Sequence, residues 1–467
     1  MGRRKKILSA ILAASLVLGL TACGGSSGET EGKDTGGDTN KAQTSDAAEN
    51  DAGIPDITTP EVPEIEGSDV EATLRVCTHY GGDNIPFAEY AAAQIKKKFP
   101  NVTLEFENLP QDGGQTIKTR AATGDLPELL LCDAGTLETL AESGSIYPLD
   151  DYVEEFNIEK YYNDEIIKTC LYSPDGKAYQ FPMGSISPII WYYNKSVFED
   201  NGVKVPENYD ELMTAVQTFR EKGVIPMAMF GKEPWPLGAF FDSFAVKENP
   251  GGCYALSKGE AKASDEEFQK AIEKMANLID AGIFQDGVTN TDFDTASALF
   301  KGGQCAMFMN GCWYTSEAVE GLGDNVGMMA FYPTADAGSE DQNKYAMAGG
   351  GETNGIAITE SAKDKDLAAA VGFLFSYYRE VAQYEMKSLV TTPVRTDDLV
   401  LENELDHISQ ELLELVSEYT YDTRFLHTFP NTEFSMLFIE EMQKFMVGES
   451  VADFTTNVDK SIEKTVK

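Results

Sequence analysis

Only three histidines occur in the 467 residues, His79, His407 and His427, and they lie far apart. So few imidazoles leave little material for a zinc centre or a histidine-based catalytic site. Tryptophan is equally scarce, with three residues. Basic side chains are short too: 37 Lys and Arg stand against 77 Asp and Glu, a formal net charge of −40. That balance excludes broad nucleic-acid binding, which needs basic surface to displace counterions, and it would be repelled by anionic membranes. No apolar run reaches the roughly 20 residues that span a bilayer. The sequence also lacks GxxxxGKS/T, a GxGxxG behind a strand, HExxH and GxSxG, so nucleotide, dinucleotide, metalloprotease and serine-hydrolase chemistry lack their signatures. Carboxylate pairs of the kind that hydrolyse glycosides stay open, because 77 acids make some close pair certain.

What is present is globular in character. The chain is 42% hydrophobic and 24% charged, and its length suits two or three domains or one large two-lobed one. Arg3-Arg4-Lys5-Lys6 precede an apolar run from Ile7 to about Leu20, the pattern of a secretory signal. The run ends in Leu20-Thr21-Ala22-Cys23, which resembles the bacterial lipobox, so residues 1–22 are expected to be removed and Cys23 to be lipidated. Gly24–Glu71 is rich in Gly, Ser, Thr, Asp and Glu, with thirteen acids, two lysines and no apolar periodicity. Such a stretch cannot offset its ordering entropy, and residues 23–71 are expected to be the lipidated cysteine and a disordered acidic linker. Removal of the leader would leave −44, of which the linker carries −11 and the folded part −33.

Six further cysteines remain: Cys77, Cys132, Cys170, Cys253, Cys305 and Cys312. An even number outside the cell permits up to three disulfides, yet Cys77 and Cys132 sit in apolar runs and no CxxC occurs. Buried free thiols are the expectation.

From Ala72 onward, strands and helices alternate. Thr73–Thr78, Val102–Phe106 and Glu128–Cys132 read as strands, Phe87–Phe99 and Gln115–Thr123 as helices, the second stopped by Gly124. The alternation predicts an α/β fold with a parallel sheet, whose ligands bind beyond the strands' carboxyl ends. Later, Thr295–Lys301 reads as a helix with Gly302-Gly303 as its stop, and Cys305–Met309 as an apolar strand that delivers Trp313 through a turn at Gly311.

Five stretches carry a family resemblance in order. Tyr179 and Pro182, followed by Tyr193-Asn194-Lys195, Phe198 and Gly202, form the first; Met227–Pro236, with Glu233-Pro234-Trp235, the second. Phe300 to Trp313, including Gly303, Ala306, Met307 and Gly311, is the third, although Cys305 takes a slot usually held by Ala. Gly349-Gly350-Gly351 before Gly355–Ile358 and the helix Ala362–Tyr378 is the fourth, and Pro393-Val394-Arg395 the last. Together they resemble the extracellular solute-binding proteins of carbohydrate ABC importers, relatives of maltodextrin-binding and multiple-sugar-binding lipoproteins. The resemblance implies a two-lobed periplasmic-binding-protein-like fold of type II, with parallel-sheet lobes joined by hinge strands. The lobes would be 72–185 with 347–392 and 186–346 with 393–467, and Met183–Ser187 would be one crossing.

A sugar offers hydroxyls and a patch of C–H bonds, so its cleft needs rings beside carboxylates, amides or arginines. Trp235, in an expected loop between Pro234 and Pro236, and Trp313 are the candidate stacking rings. Trp191, inside an apolar run, is expected to pack near the hinge. Asp133 has two readings, an acceptor of paired sugar hydroxyls or the N-cap of a helix beginning near Thr136. Tyr80, with His79 behind it, ends the first strand as a hydrogen-bonding or stacking group, and Glu233 resembles the family's sugar-binding glutamate. Ser187, Gly350 and Arg395 are hinge-proximal candidates: Gly350 for close backbone approach, Arg395 equally for a structural ion pair. Tyr419–Asn431 is expected to add an aromatic ring, with no motif that says which.

The sequence therefore predicts a lipid-anchored substrate-binding protein on the outer face of the bacterial cell membrane. It would be a monomer that binds an oligosaccharide, docks on ABC permease subunits, needs no cofactor or metal, touches no nucleic acid and performs no covalent chemistry. The rival expectations are a cell-surface glycoside hydrolase and a polysaccharide-adhesion lipoprotein.

Overall fold

The computed structural model describes Gln43–Thr44 and residues 65–466, apart from 82–83, 111–113, 174, 185–186, 351–353, 388–393, 396–398 and 400–403. The basic and apolar leader, Cys23 and the acidic stretch to residue 64, Gln43–Thr44 aside, lie outside the described residues, as does Pro393 of the last crossing motif. The described strands are β1 (Gln43–Thr44), β2 (Ala72–Thr78), β3 (Val102–Asn108), β4 (Leu129–Cys132), β5 (Phe181–Met183), β6 (Ile189–Asn194), β7 (Ile225–Ala228), β8 (Cys305–Gly311), β9 (Val326–Met328) and β10 (Asn354–Ile358).

The first sheet runs β1-β3-β2-β4-β10-β5. β2 lies parallel to β3, from Ala72 opposite Val102 to Thr78 opposite Asn108, and parallel to β4. Leu129 to Cys132 are all buried because this strand is covered on both faces, which is why it reads as a continuous apolar run. On one face Leu129 and Leu131 meet the helices Ile85–Lys98 and Lys365–Lys387 through side chains such as Phe87, Tyr90 and Phe373. On the other, Leu130 and Cys132 meet Ile117 and Leu137 from the helices Gln115–Thr123 and Ala134–Glu142. Ile65 is already buried in the first of these cores, and its carbonyl accepts from the Lys98 ammonium at 3.0 Å.

The second sheet runs β7-β8-β6-β9. β7 is parallel to β8, whereas β6 is antiparallel to both β8 and β9. Trp191 is fully buried here, its ring stacked on Phe240 at 6.0 Å, so this tryptophan belongs to the core. The sheets are thus mixed rather than all parallel. The reason is connectivity: β10 enters the first sheet from the second lobe and runs antiparallel to β4 and β5, and β6 leaves in the opposite sense. All six described cysteines are buried, and none of them is in a disulfide. Burial pushes the thiols of Cys77 and Cys305 up to about 12.

The chain passes between the two cores three times: from Met183 to Ile189, from Ala348 to Asn354, and from Val394 toward the helix His407–Leu415. Two passages are bound together on the second-lobe side. Ile189 N–H donates to Ala348 O at 3.4 Å, while the buried Tyr332 hydroxyl donates to Ile189 O at 2.7 Å and accepts from Ala348 N–H at 3.1 Å. On the first-lobe side, the buried Glu380 carboxylate accepts from Gly184 N–H and pairs with Arg379, whose guanidinium also donates to Asn84 at 2.9 Å. Desolvation raises the Glu380 carboxyl above its ordinary range, and Arg379 holds it back. Buried pairs of this kind fix geometry more than they add stability.

Removing the Tyr332 hydroxyl strands a buried N–H at the joint. Tyr332→Phe is expected to lower the unfolding free energy by about 1–3 kcal/mol in urea titration; an unchanged value would show that this hydroxyl does not hold the crossings.

Candidate functional site

Parallel pairing brings separate loops to one edge. Because β7 and β8 run the same way, the segments that follow them emerge together, and Trp235 and Trp313 meet with ring centroids 5.6 Å apart and planes at 63°. β2 and β4 do the same in the first sheet, delivering His79 and Asp133.

Trp235 does not sit in a loop between prolines, as its sequence setting suggested. Pro234 opens the helix Pro234–Glu248, and Pro236 is accommodated in the same first turn, where no N–H is needed for the helical ladder. The indole is thereby fixed at a helix N-terminus, half-buried, against Phe230. Its N–H donates to the Glu233 carboxylate, which also accepts from Phe293 N–H. Desolvation raises the Glu233 carboxyl, the two donors lower it, and Asp292 and Asp294 raise it further.

Trp313 follows β8 in a short 3-10 turn, Cys312–Tyr314, and is 42% exposed. Its ring folds back over Gly311, where any Cβ would collide with the indole. A third ring completes the cluster: Phe425 lies 6.1 Å from Trp235 and 5.9 Å from Trp313. Phe425 rests on Gly349, where a Cβ would lie 2.5 Å from the phenyl and where φ is +67°. Gly349 therefore meets two demands that only glycine satisfies together.

The segment carrying Phe425 docks on one face of the Trp235 helix. Gly238 receives Leu426, whose side chain would lie 3.0 Å from a Cβ there. One turn further, the buried Asp242 carboxylate accepts from Thr423 Oγ1 at 3.2 Å and from Cys253 N–H at 2.6 Å. Beyond Phe425, the same segment reaches the first lobe. Arg424 pairs with Glu138 at 3.7 Å, and Gly135 lies so close to Thr428 O that a Cβ would come within 2.5 Å.

His427 sits between these anchors, its ring stacked on Phe425 at 5.6 Å and 23°. It is solvent-accessible yet closely surrounded by protein, so desolvation lowers its proton affinity below the usual histidine value, with the Asp133 carboxylate acting in the opposite sense. Burial also pushes His79 down to about 4, helped by Arg379 and His427. The His79 imidazole is neutral at physiological pH.

The structure therefore brings Glu233, Trp235 and Trp313 together. Gly350 packs against Ser187, where a Cβ would lie 2.7 Å from its carbonyl oxygen, next to Gly349 beneath Phe425. Asp133 caps the helix Ala134–Glu142, accepting from Thr136 N–H at 2.8 Å and Oγ1 at 3.1 Å, while its charge reaches His427. Tyr80 is turned into its own lobe: its ring stacks on Phe106 at 4.7 Å, and burial and the bonded Glu89 raise its hydroxyl. Arg395 is held by its backbone N–H on Tyr161 O at 3.1 Å, beside Val394, which bridges Tyr162. Phe425 and His427 are the residues at this cluster that sequence reasoning did not single out. They lie in a segment with almost no regular structure, and its only signal is a cluster of rings between two capped helices. Among the described residues, no group of three His, Cys, Asp or Glu side chains is placed to hold a metal, and no helix is long and apolar enough to cross a membrane.

A model of the bacterial extracellular solute-binding protein family matches residues 81–376. The multiple sugar-binding protein of Streptococcus mutans is 24% identical over 290 residues, 60% of this chain and 65% of that protein. A probable sugar-binding periplasmic protein of Brucella melitensis is 23% identical over 265 residues, 54% of this chain and 62% of its own length. The chain thus spans less than two thirds of these relatives. Among solved structures, a chitin oligosaccharide binding protein superposes with a TM-score of 0.72 at 18% identity, covering 85% of this chain and 99% of the other. A sugar transporter from Bacillus licheniformis in complex with stachyose gives 0.62 at 15% identity, covering 84% and 100%. At such identities the likeness establishes the fold, which is the two-lobed architecture of periplasmic binding proteins.

Asp242 supplies a pH test of the docked segment. Burial pushes its carboxyl up to about 7 from an ordinary 3.8, while the Cys253 N–H and Thr423 hydroxyl pull it down. The folded state then holds a proton that the unfolded state releases, so this group's stabilisation is complete below about pH 4 and disappears as pH rises through about 7. Asp242→Asn is expected to gain stability relative to the unaltered protein between pH 5 and pH 8 in chemical denaturation. A difference that stays constant with pH would contradict the assignment.

Proposed function

The chain belongs to the bacterial extracellular solute-binding proteins, and from that premise we propose that it captures an oligosaccharide between its lobes and delivers it to an ABC permease in the membrane. The observation that carries this reading is the half-exposed Trp313 ring, braced edge-on by Trp235 and at a tilt by Phe425, with the Glu233 carboxylate at the edge of the cluster. Such a ring offers a flat face to sugar C–H bonds, and the carboxylate accepts hydroxyl protons. Because the indole is already held by its neighbours, little rotamer freedom remains to be lost on binding.

The lobes are read as 72–185 with 347–392 and 186–346 with 393–467; the cores differ from these bounds at the crossings, where Met347 and Ala348 pack in the second core and Val394 in the first. They close about the three crossings by rotation at a few residues, among which Gly184, Gly349 and Gly350 have positive φ. Asp133, Tyr80, Ser187, Gly350 and Arg395 belong to this reading as supporting positions: Asp133 through the charge it directs at His427, the others through the shape of the cleft and the hinge. The protein works outside the cytoplasm as a monomer. Its leader ends at a lipobox-like Leu20-Thr21-Ala22-Cys23, which supports anchoring through Cys23 to the outer face of the membrane, with the acidic linker holding the lobes away from it. No covalent step is required of any residue.

A thermal-shift screen over stachyose, raffinose, xylo-oligosaccharides and chitin oligosaccharides tests the reading, since a ligand bound only by the folded state raises Tm. At least one is expected to bind without being cleaved. Trp313→Ala is expected to weaken that binding roughly tenfold or more while shifting the ligand-free Tm little. Turnover of the sugar, or unaltered binding by the variant, would count against it.

A further inference from the structure

A cavity of about 540 Å³ lies in the first lobe, away from the tryptophan cluster. Among the residues that line it, Val70 stands just before β2 and Phe99 just before β3, at the amino ends of those strands. His79 and Asp133 follow the carboxyl ends of β2 and β4, so the cavity and the cleft lie at opposite ends of one sheet. The floor is apolar: Phe99, Tyr152, Phe156 and Leu367 are buried in the first core. The charged residues at its rim, Glu66, Glu155, Asp364 and Asp366, are exposed and all acidic. We propose that this groove docks a basic peptide segment, which sets Lys or Arg side chains against the rim and an apolar side chain on the floor. The inference is independent of the carbohydrate reading.

Local structure places ring and carboxylate together. Tyr152, Glu155 and Phe156 are spaced by three and four residues on the helix Asp150–Glu155 and its C-cap, which puts them on one face. The Tyr152 hydroxyl donates to Asp366 Oδ1 at 2.7 Å and holds that carboxylate at the rim. Two lysines beside the groove in sequence are directed elsewhere. Lys98 donates to Ile65 O at 3.0 Å, and Lys365 donates to Ala362 O at 2.8 Å and pairs with Glu360 at 3.2 Å. Among the described residues, no Lys or Arg forms an ion pair with any of the four rim carboxylates. An ammonium or guanidinium seated here meets carboxylates and aromatic faces at once. The same charge disfavours the other occupants: the acidic stretch before residue 65 is repelled, and so is a second copy of a chain at −40.

The test is fluorescence anisotropy of the full chain with a labelled Lys-Phe-Lys-Leu-Arg peptide in about 150 mM salt. Beside it stand a peptide with Glu for each basic residue and one with Ser for Phe and Leu. Glu66→Lys with Glu155→Lys reverses two exposed rim charges, whereas Glu199→Lys with Glu221→Lys makes the same change on exposed helix positions of the second lobe. The basic peptide is expected to bind and the acidic one not to. The rim pair is expected to lower affinity about tenfold or more, and the second-lobe pair to stay within about threefold of the unaltered protein. The Ser peptide is expected to bind about tenfold more weakly, through loss of its apolar side chains. No binding of the basic peptide by the unaltered protein, or equal losses with both pairs of variants, would overturn the inference. Equal affinity for the Ser peptide would also overturn it, since the floor would then play no part. If the rim pair fails to fold by circular dichroism, Glu66→Gln with Glu155→Gln takes its place under the same outcomes.

Discussion

Parallel strand pairing is the constraint on which the site depends. Two strands that run the same way release their following segments at the same edge, whatever those segments contain. β7 beside β8 therefore makes neighbours of Trp235 and Trp313, which are 78 residues apart in sequence. β2 beside β4 sets His79 and Asp133 on the opposing lobe. Neither pair could be assembled by local structure alone. Each sheet supplies one wall, and the antiparallel strands β6 and β10 at the crossings hold the walls in one molecule.

Between the walls, the segment from Thr423 to Thr428 does what neither sheet can. Its contacts on the second lobe recur along one helical face, at Trp235, Gly238 and Asp242, the spacing of three and four residues that puts side chains in line. Phe425 packs against both tryptophans, and Gly349 beneath it lies on the second passage between the cores.

The order of strands and helices in the first lobe was legible in the sequence because periodicity and glycine stops are local signals. Gln115–Thr123 ends at Gly124 with φ +71°, as a left-handed C-cap requires. The setting of Trp235 was misread because a proline on either side of one residue suggests a loop, whereas the first turn of a helix tolerates both. Tyr80 illustrates a deeper limit. Its position at a strand end was readable, but the choice between facing the cleft and stacking on Phe106 depends on a partner 26 residues away. Asp133 had two readings on local grounds, and the cap geometry is the one realised in hydrogen bonds. Nothing local told Phe425 and His427 from the other rings of Tyr419–Asn431, because their placement follows from docking on an element nearly two hundred residues earlier in the chain.

The six buried thiols have a consequence for the life of the protein outside the cell. A thiol exchanges or oxidises as its thiolate, and Cys77, Cys132, Cys253 and Cys305 are all held protonated by burial. The native fold is therefore chemically quiet in an oxidising medium without a single crosslink among them. The extended chain is not, for there the same sulfurs return to ordinary acidity and meet one another freely. Oxidation thus acts as a one-way gate: each unfolding event that lasts long enough to pair two of them removes a molecule that cannot refold. In such a medium the loss of molecules follows the rate of unfolding rather than the equilibrium stability.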